Sequence, residues 1–154
     1  MLKPENLEKA KAVLSRYPEK KAALLPILWI AQEQDGWISH DMMKYVGDLV
    51  SVPYAHVLGV VTFYTMYNDK KLGKHHIEVC TNVSCLLRGS DKILATVEKV
   101  CGTKLGSTSA DGKFTISEVE CMGACGGAPM LAIGEEYYEH LTPEKTEQLL
   151  SGLK

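Results

Sequence analysis

Two cysteine pairs, each at the end of a β-type stretch, constrain this chain more than any other feature. Cys80 and Cys85 form a C-x4-C pair at the end of "HIEVC", and Cys121 and Cys125 form a C-x3-C pair after "FTISEVE". Thirty-five residues lie between Cys85 and Cys121, enough for a whole helix. Strands flanking one crossover helix share a sheet and often run parallel, so their C-terminal ends can meet at one edge. Such a fold would gather four sulfurs around one point.

Four thiolates suit zinc or an iron–sulfur centre, and ligand type alone does not decide between them. Structural zinc sites favour tight C-x2-C knuckles, whereas the two irons of a [2Fe-2S] centre each take two sulfurs from wider loops. The spacing therefore favours the cluster, with a structural zinc module for protein interaction as the alternative. Gly123, Ala124, Gly126 and Gly127 leave backbone N–H groups open to approach sulfur, and Asn82 and Ser84 are expected to help from the first loop. Cys101, away from both pairs, reads as a small buried hydrophobe and not a fifth ligand. Adjacent residues on a strand face opposite ways, so His75 and His76 read as linker and strand-edge residues.

Around these pairs the chain divides at the polar break "DKKLGKHH", giving an N-terminal helical bundle over 1–74 and an α/β domain over 75–154. The bundle is expected to hold helices over 4–16, 19–34 and 40–50, and from Pro53 to about Tyr64. Pro26 predicts a kink or a late start in the second. Two packed antiparallel helices are expected over 40–64. In the second part, residues 76–80 and 114–120 read as strands and 86–100 as one helix stopped by Gly102. A short hairpin turns about Gly134-Glu135, and a last helix over 143–151 has Thr142 as its N-cap. The fold class is α+β.

Charge and motif absences exclude several functions. The net charge is -2, and Lys44 is the only Lys or Arg between Lys21 and Lys70, so no helix there can grip phosphates and no nucleic-acid partner is expected. Apolar residues at the N-terminus are dispersed among charges, unlike a signal peptide. The longest apolar run, "AALLPILWIA", is about half of what spans a bilayer, so no direct membrane insertion is expected. With no export signal, five cysteines fit a reducing compartment. Neither G-x-G-x-x-G nor G-x-x-x-x-G-K-[ST] occurs, and nor does C-x-x-C, so no nucleotide site and no dithiol redox motif is expected.

"CTNVSC" and "CMGACGGAP", preceded by "VLGVVTFYTMYN" and "YPEKKAALLPILWIAQEQDGWIS", resemble one family over nearly the whole chain. It is the thioredoxin-like [2Fe-2S] ferredoxin family, in the form of the 24 kDa-type subunit of NADH:quinone oxidoreductase, the respiratory complex I. The resemblance implies a helical bundle followed by a thioredoxin-like domain, one [2Fe-2S] cluster on Cys80, Cys85, Cys121 and Cys125, and no catalytic residue of its own. It also implies a flavin-bearing, NADH-binding partner of the 51 kDa type that carries FMN and NADH, with further subunits of the peripheral arm. The implied location is the cytoplasmic face of a bacterial inner membrane, held through the complex. Equivalent diaphorase subunits of NAD-linked hydrogenases and formate dehydrogenases share the cysteine pattern. In such a fold Pro129, entering a strand beside the second loop, is the candidate cis-proline.

Overall fold

The structure is a computed structural model, and it describes residues 1–153. It divides into two compact units, Met1–Lys71 and Leu72–Lys154.

The first unit is all helix: α1 (Pro4–Leu14), a 3-10 turn (Lys20–Ala23), α2 (Leu24–Asp35), α3 (His40–Val50) and α4 (Tyr54–Phe63). The late start expected near Pro26 takes a definite form. The 3-10 turn occupies the first residues of the predicted helix, and Pro26 falls in the first turn of α2, where no N–H is needed. Ser39 begins α3 by accepting the Met42 N–H on its side chain at 3.2 Å. Met42, Met43, Val46 and Val50 then all face inward, the 3–4 spacing of one helix face. They close a core with Leu24, Ile27 and Leu28 of α2. Pro53 is the N-cap of α4 and not part of its first turn. The chain bends by 116° between α3 and α4, less than the antiparallel reversal expected from the sequence. Tyr67 is buried and donates its hydroxyl to the Leu25 carbonyl at 2.8 Å, whereas Phe63 is exposed. Among the described residues no single helix is long and apolar enough to cross a membrane.

The second unit is mixed. It runs β1 (His75–Cys80), α5 (Val83–Leu87), α6 (Ser90–Cys101), β2 (Phe114–Val119), a 3-10 turn (Cys125–Gly127), β3 (Leu131–Ile133), β4 (Glu136–Tyr138) and α7 (Pro143–Ser151). The sheet order is β2-β1-β3-β4, with β1 and β2 parallel and the other two pairings antiparallel. Ile77, Val79, Ile116 and Leu131 of the sheet share one buried cluster with Ile93 and Val97 of α6 and Leu150 of α7. Each such side chain stabilises the fold by about 1.5–3 kcal/mol relative to exposure. Thr142 caps α7 through its side chain, as expected, and the peptide bond before Pro129 is cis.

The second unit also departs from expectation in one helix. The single helix predicted over 86–100 is two helices, broken at Arg88 and Gly89. Gly89 has φ +90°, a backbone shape that side-chain-bearing residues rarely adopt, and it turns the chain between α5 and α6. Leu86 and Leu87, which keep helical spacing with Ile93 and Val97, are 56% and 82% exposed. Cys85 thus rides on a short helix of its own.

Candidate metal centre

The parallel pairing of β1 with β2 puts Cys80 beside Val119, the last residue of each strand. Both chain segments leave the sheet at this edge. One continues into α5 with Cys85, and the other into the loop that carries Cys121 and Cys125. All five cysteines are free thiols.

The first pair is dry and the second is wet. Cys80 and Cys85 are buried, packed with Ala128 and Met130, and Met122 and Ala124 lie against them. Cys121 and Cys125 are exposed. Burial, first, and then a hydrogen bond with Cys80 push the Cys85 thiol up to about 11; the Met130 N–H pulls it down, and the charges of Cys80 and Cys125 raise it. Cys80 and Cys125 thus both act on Cys85. The fourth, Cys121, accepts the Gly123 N–H on its sulfur at 3.4 Å. Among the described residues no three His, Cys, Asp or Glu side chains stand close enough to hold a single metal ion. A two-iron centre is larger than one ion and draws its sulfurs in pairs from separate loops. The donor set fits such a centre: four thiols on two loops at one sheet edge, two of them shielded from water, with the Gly123 N–H already donating to Cys121.

The second loop is built to stay open. A Cβ at Gly123 or Gly126 would meet no atom within 4 Å, so these backbones are bare on that side. At Gly127 a Cβ would collide with the Glu139 carboxylate, which only glycine lets lie this close. The loop is tied from outside by the Tyr137 hydroxyl, which donates to the Met122 carbonyl at 3.2 Å, and by the His140 N–H, which donates to the Gly127 carbonyl at 2.6 Å.

The Asn82 side-chain oxygen accepts the Val83 N–H and caps α5. Cys101 is buried in the sheet–helix core, with its thiol pushed up to about 11 chiefly by burial, and takes no part in the edge. His76 pairs with the Ser117 hydroxyl at 2.7 Å on the sheet. Spacing gives no sign of Arg88, Tyr137 or the Met130 N–H, which reach the cysteine loops across 40 residues, 15 residues and a strand boundary respectively. The one signal for Arg88 is a cation three positions after a candidate ligand. The Ser90 hydroxyl, in the first turn of α6, is buried without a hydrogen-bond partner.

A mixed sheet with two cysteine loops leaving the ends of its parallel strand pair fits the thioredoxin-like class of fold. The chain belongs to the thioredoxin-like [2Fe-2S] ferredoxin family, whose model matches residues 10–154. It is similar to the E subunit of NADH-quinone oxidoreductase from Rickettsia conorii, at 44% identity over 153 residues, covering 97% of this chain and 92% of that one. The E subunit from Rickettsia felis is 46% identical over 149 residues, covering 95% and 89%. Among solved structures, an NAD+-reducing [NiFe]-hydrogenase in the air-oxidized state matches with a TM-score of 0.73 at 16% identity. That match covers 83% of this chain but 22% of the hydrogenase chain, and it is a likeness of fold alone.

Proposed function

We propose that this chain is the [2Fe-2S] electron-transfer subunit of an NADH:quinone oxidoreductase, holding its cluster on Cys80, Cys85, Cys121 and Cys125. The observation that carries the reading is the parallel β1–β2 edge, from which both cysteine loops leave side by side. The cluster supplies one-electron chemistry next to a flavin that takes electrons in pairs from NADH. This chain's residues bind, shield and present it. Cys80 and Cys85 hold one side away from water, while the Gly123 and Met130 N–H groups offset the negative charge of the thiolates.

The exchange partner is the flavin-bearing, NADH-binding subunit, with FMN and NADH bound there and not on this chain. Val83, Leu86 and Leu87 of α5 and Tyr137 of β4 are exposed apolar side chains on the elements that carry or tie the cysteine loops. Exposed apolar surface of this kind is where a partner seats. Assembly through that face, with the other subunits of the peripheral arm, would hold the chain at the cytoplasmic side of the membrane. Affinity purification of the tagged chain from its own cells in mild detergent tests this. The expected result is co-purification of FMN and NADH-oxidising activity with a quinone-reducing complex. Recovery of the chain with a hydrogenase or formate dehydrogenase instead would replace the respiratory assignment, and recovery without flavin would remove it.

A further inference from the structure

We propose that Arg88 is a positioning residue for this site: it latches the first cysteine loop to the second and sets an unpaired positive charge on the backbone of the second loop. The inference rests on reading the four cysteines as cluster ligands.

The latch can be followed bond by bond. Arg88 is the C-cap of α5, and its backbone N–H donates to the carbonyl of Cys85 at 3.1 Å. Its side chain reaches across 40 residues, where Nη1 donates to the Ala128 carbonyl at 3.2 Å. Ala128 is itself buried, and its N–H donates to the Cys125 carbonyl at 3.4 Å. One residue thus connects the backbone of Cys85 to the backbone of Cys125 through three hydrogen bonds. No other side chain of the described residues donates between these two loops.

The charge argument is separate. The ion pairs among the described residues are Lys11–Glu8, Lys44–Asp41 and Lys104–Glu98, none involving Arg88. Its acceptor is a neutral carbonyl, so no carboxylate cancels the guanidinium. Arginine keeps its charge at every working pH. A positive charge near a site that gains negative charge on reduction stabilises the reduced form. On this reading Arg88 raises the potential of whatever the four thiolates hold, while its bond to the Ala128 carbonyl ties together the loops that hold it.

The test compares the full chain carrying its cluster with Arg88→Met and Arg88→Lys. Midpoint potential is followed by redox titration, iron release by a competing chelator, and loop mobility by hydrogen exchange at Gly127 and Ala128 after iron removal. Arg88→Met is expected to lower the potential by up to roughly a tenfold change in the reduction equilibrium, about 59 mV for one electron. It is also expected to release iron several-fold faster and to exchange faster at both amides without iron. Arg88→Lys is expected to restore the potential, because it keeps the charge, and to regain little of the slow iron release. A potential, release rate and exchange rate all unchanged in Arg88→Met would overturn the inference. If that variant does not fold, Arg88→Gln carries the same comparison, with unchanged values again decisive against it. A parent chain purified without iron and sulfide would overturn the cluster reading itself, an outcome distinct from a parent with cluster and an inert Arg88.

Discussion

Cys80 lies beside Val119 in the parallel pairing of β1 and β2, each the last residue of its strand. Everything proposed for the site descends from that register. A slip of one residue would turn Cys80 to the opposite face of the sheet and separate it from the loop that carries Cys121. The buried residues Ile77, Val79 and Ile116 fix the register, because a slip would expose them.

The cysteines divide by role, so substitution should divide them too. Serine at Cys80, Cys85, Cys121 or Cys125 is expected to abolish or degrade cluster binding, measured as iron, sulfide and visible absorbance. Cys101→Ser should keep the cluster yet lower stability by about 1–3 kcal/mol, because it leaves a hydroxyl in an apolar core. Cluster loss from the Cys101 variant alone would refute the assignment.

Removing packing under the edge should unfold the domain before it alters the chemistry. Ile77 is fully buried at the centre of β1. Ile77→Ala is expected to cost about 2–5 kcal/mol, read from the urea midpoint. A midpoint unchanged within error would mean that the sheet–helix core does not bear on Ile77.

Gly89 separates the helix that carries Cys85 from α6 at φ +90°. Gly89→Ala forces a side chain into the left-handed region and should cost about 1–2 kcal/mol. Some of that loss should be absorbed by straightening toward a single helix, which moves Cys85. Faster iron loss than in Ile77→Ala at equal stability would support this. Equal rates would place Gly89 outside the site's geometry.

Stability should also depend on pH through Cys101. Burial, opposed by Lys113 and reinforced by Asp111, pushes its thiol from 9.0 up to about 11. Between those values the unfolded chain sheds a proton that the folded chain keeps, so stability falls as pH rises across the window. Urea midpoints of the cluster-loaded chain below 9 and near 11 should drop less in Cys101→Ala than in the parent. Identical drops would show that Cys101 does not titrate in this way.

Much of the fold is legible in the sequence because local rules set it. The bounds of α3, β1 and α7 follow from a Ser39 cap, a β-rich run ending at Cys80, and a Thr142–Pro143 start, all of them short-range signals. The four cysteines are legible as pairs because each pair follows a strand pattern. The break at Gly89 is not, since Leu86, Leu87, Ile93 and Val97 keep helical spacing straight through it, and only the turn demanded by the site separates them. Asn82 reads as a helper of the sulfurs, and the structure adds a role that its place before α5 could have signalled, its oxygen capping that helix at the Val83 N–H. Arg88 and Tyr137 act through contacts that close only when the loops meet, and periodicity carries no information about such contacts.

The central claim is that these four thiols hold a two-iron centre, and metal content tests it most directly. Anaerobically purified chain should contain about two irons and two labile sulfides. It should be silent by EPR as isolated and give an S = 1/2 signal after dithionite. Stoichiometric zinc with no reducible signal would contradict the account and leave a structural scaffold in place of an electron carrier.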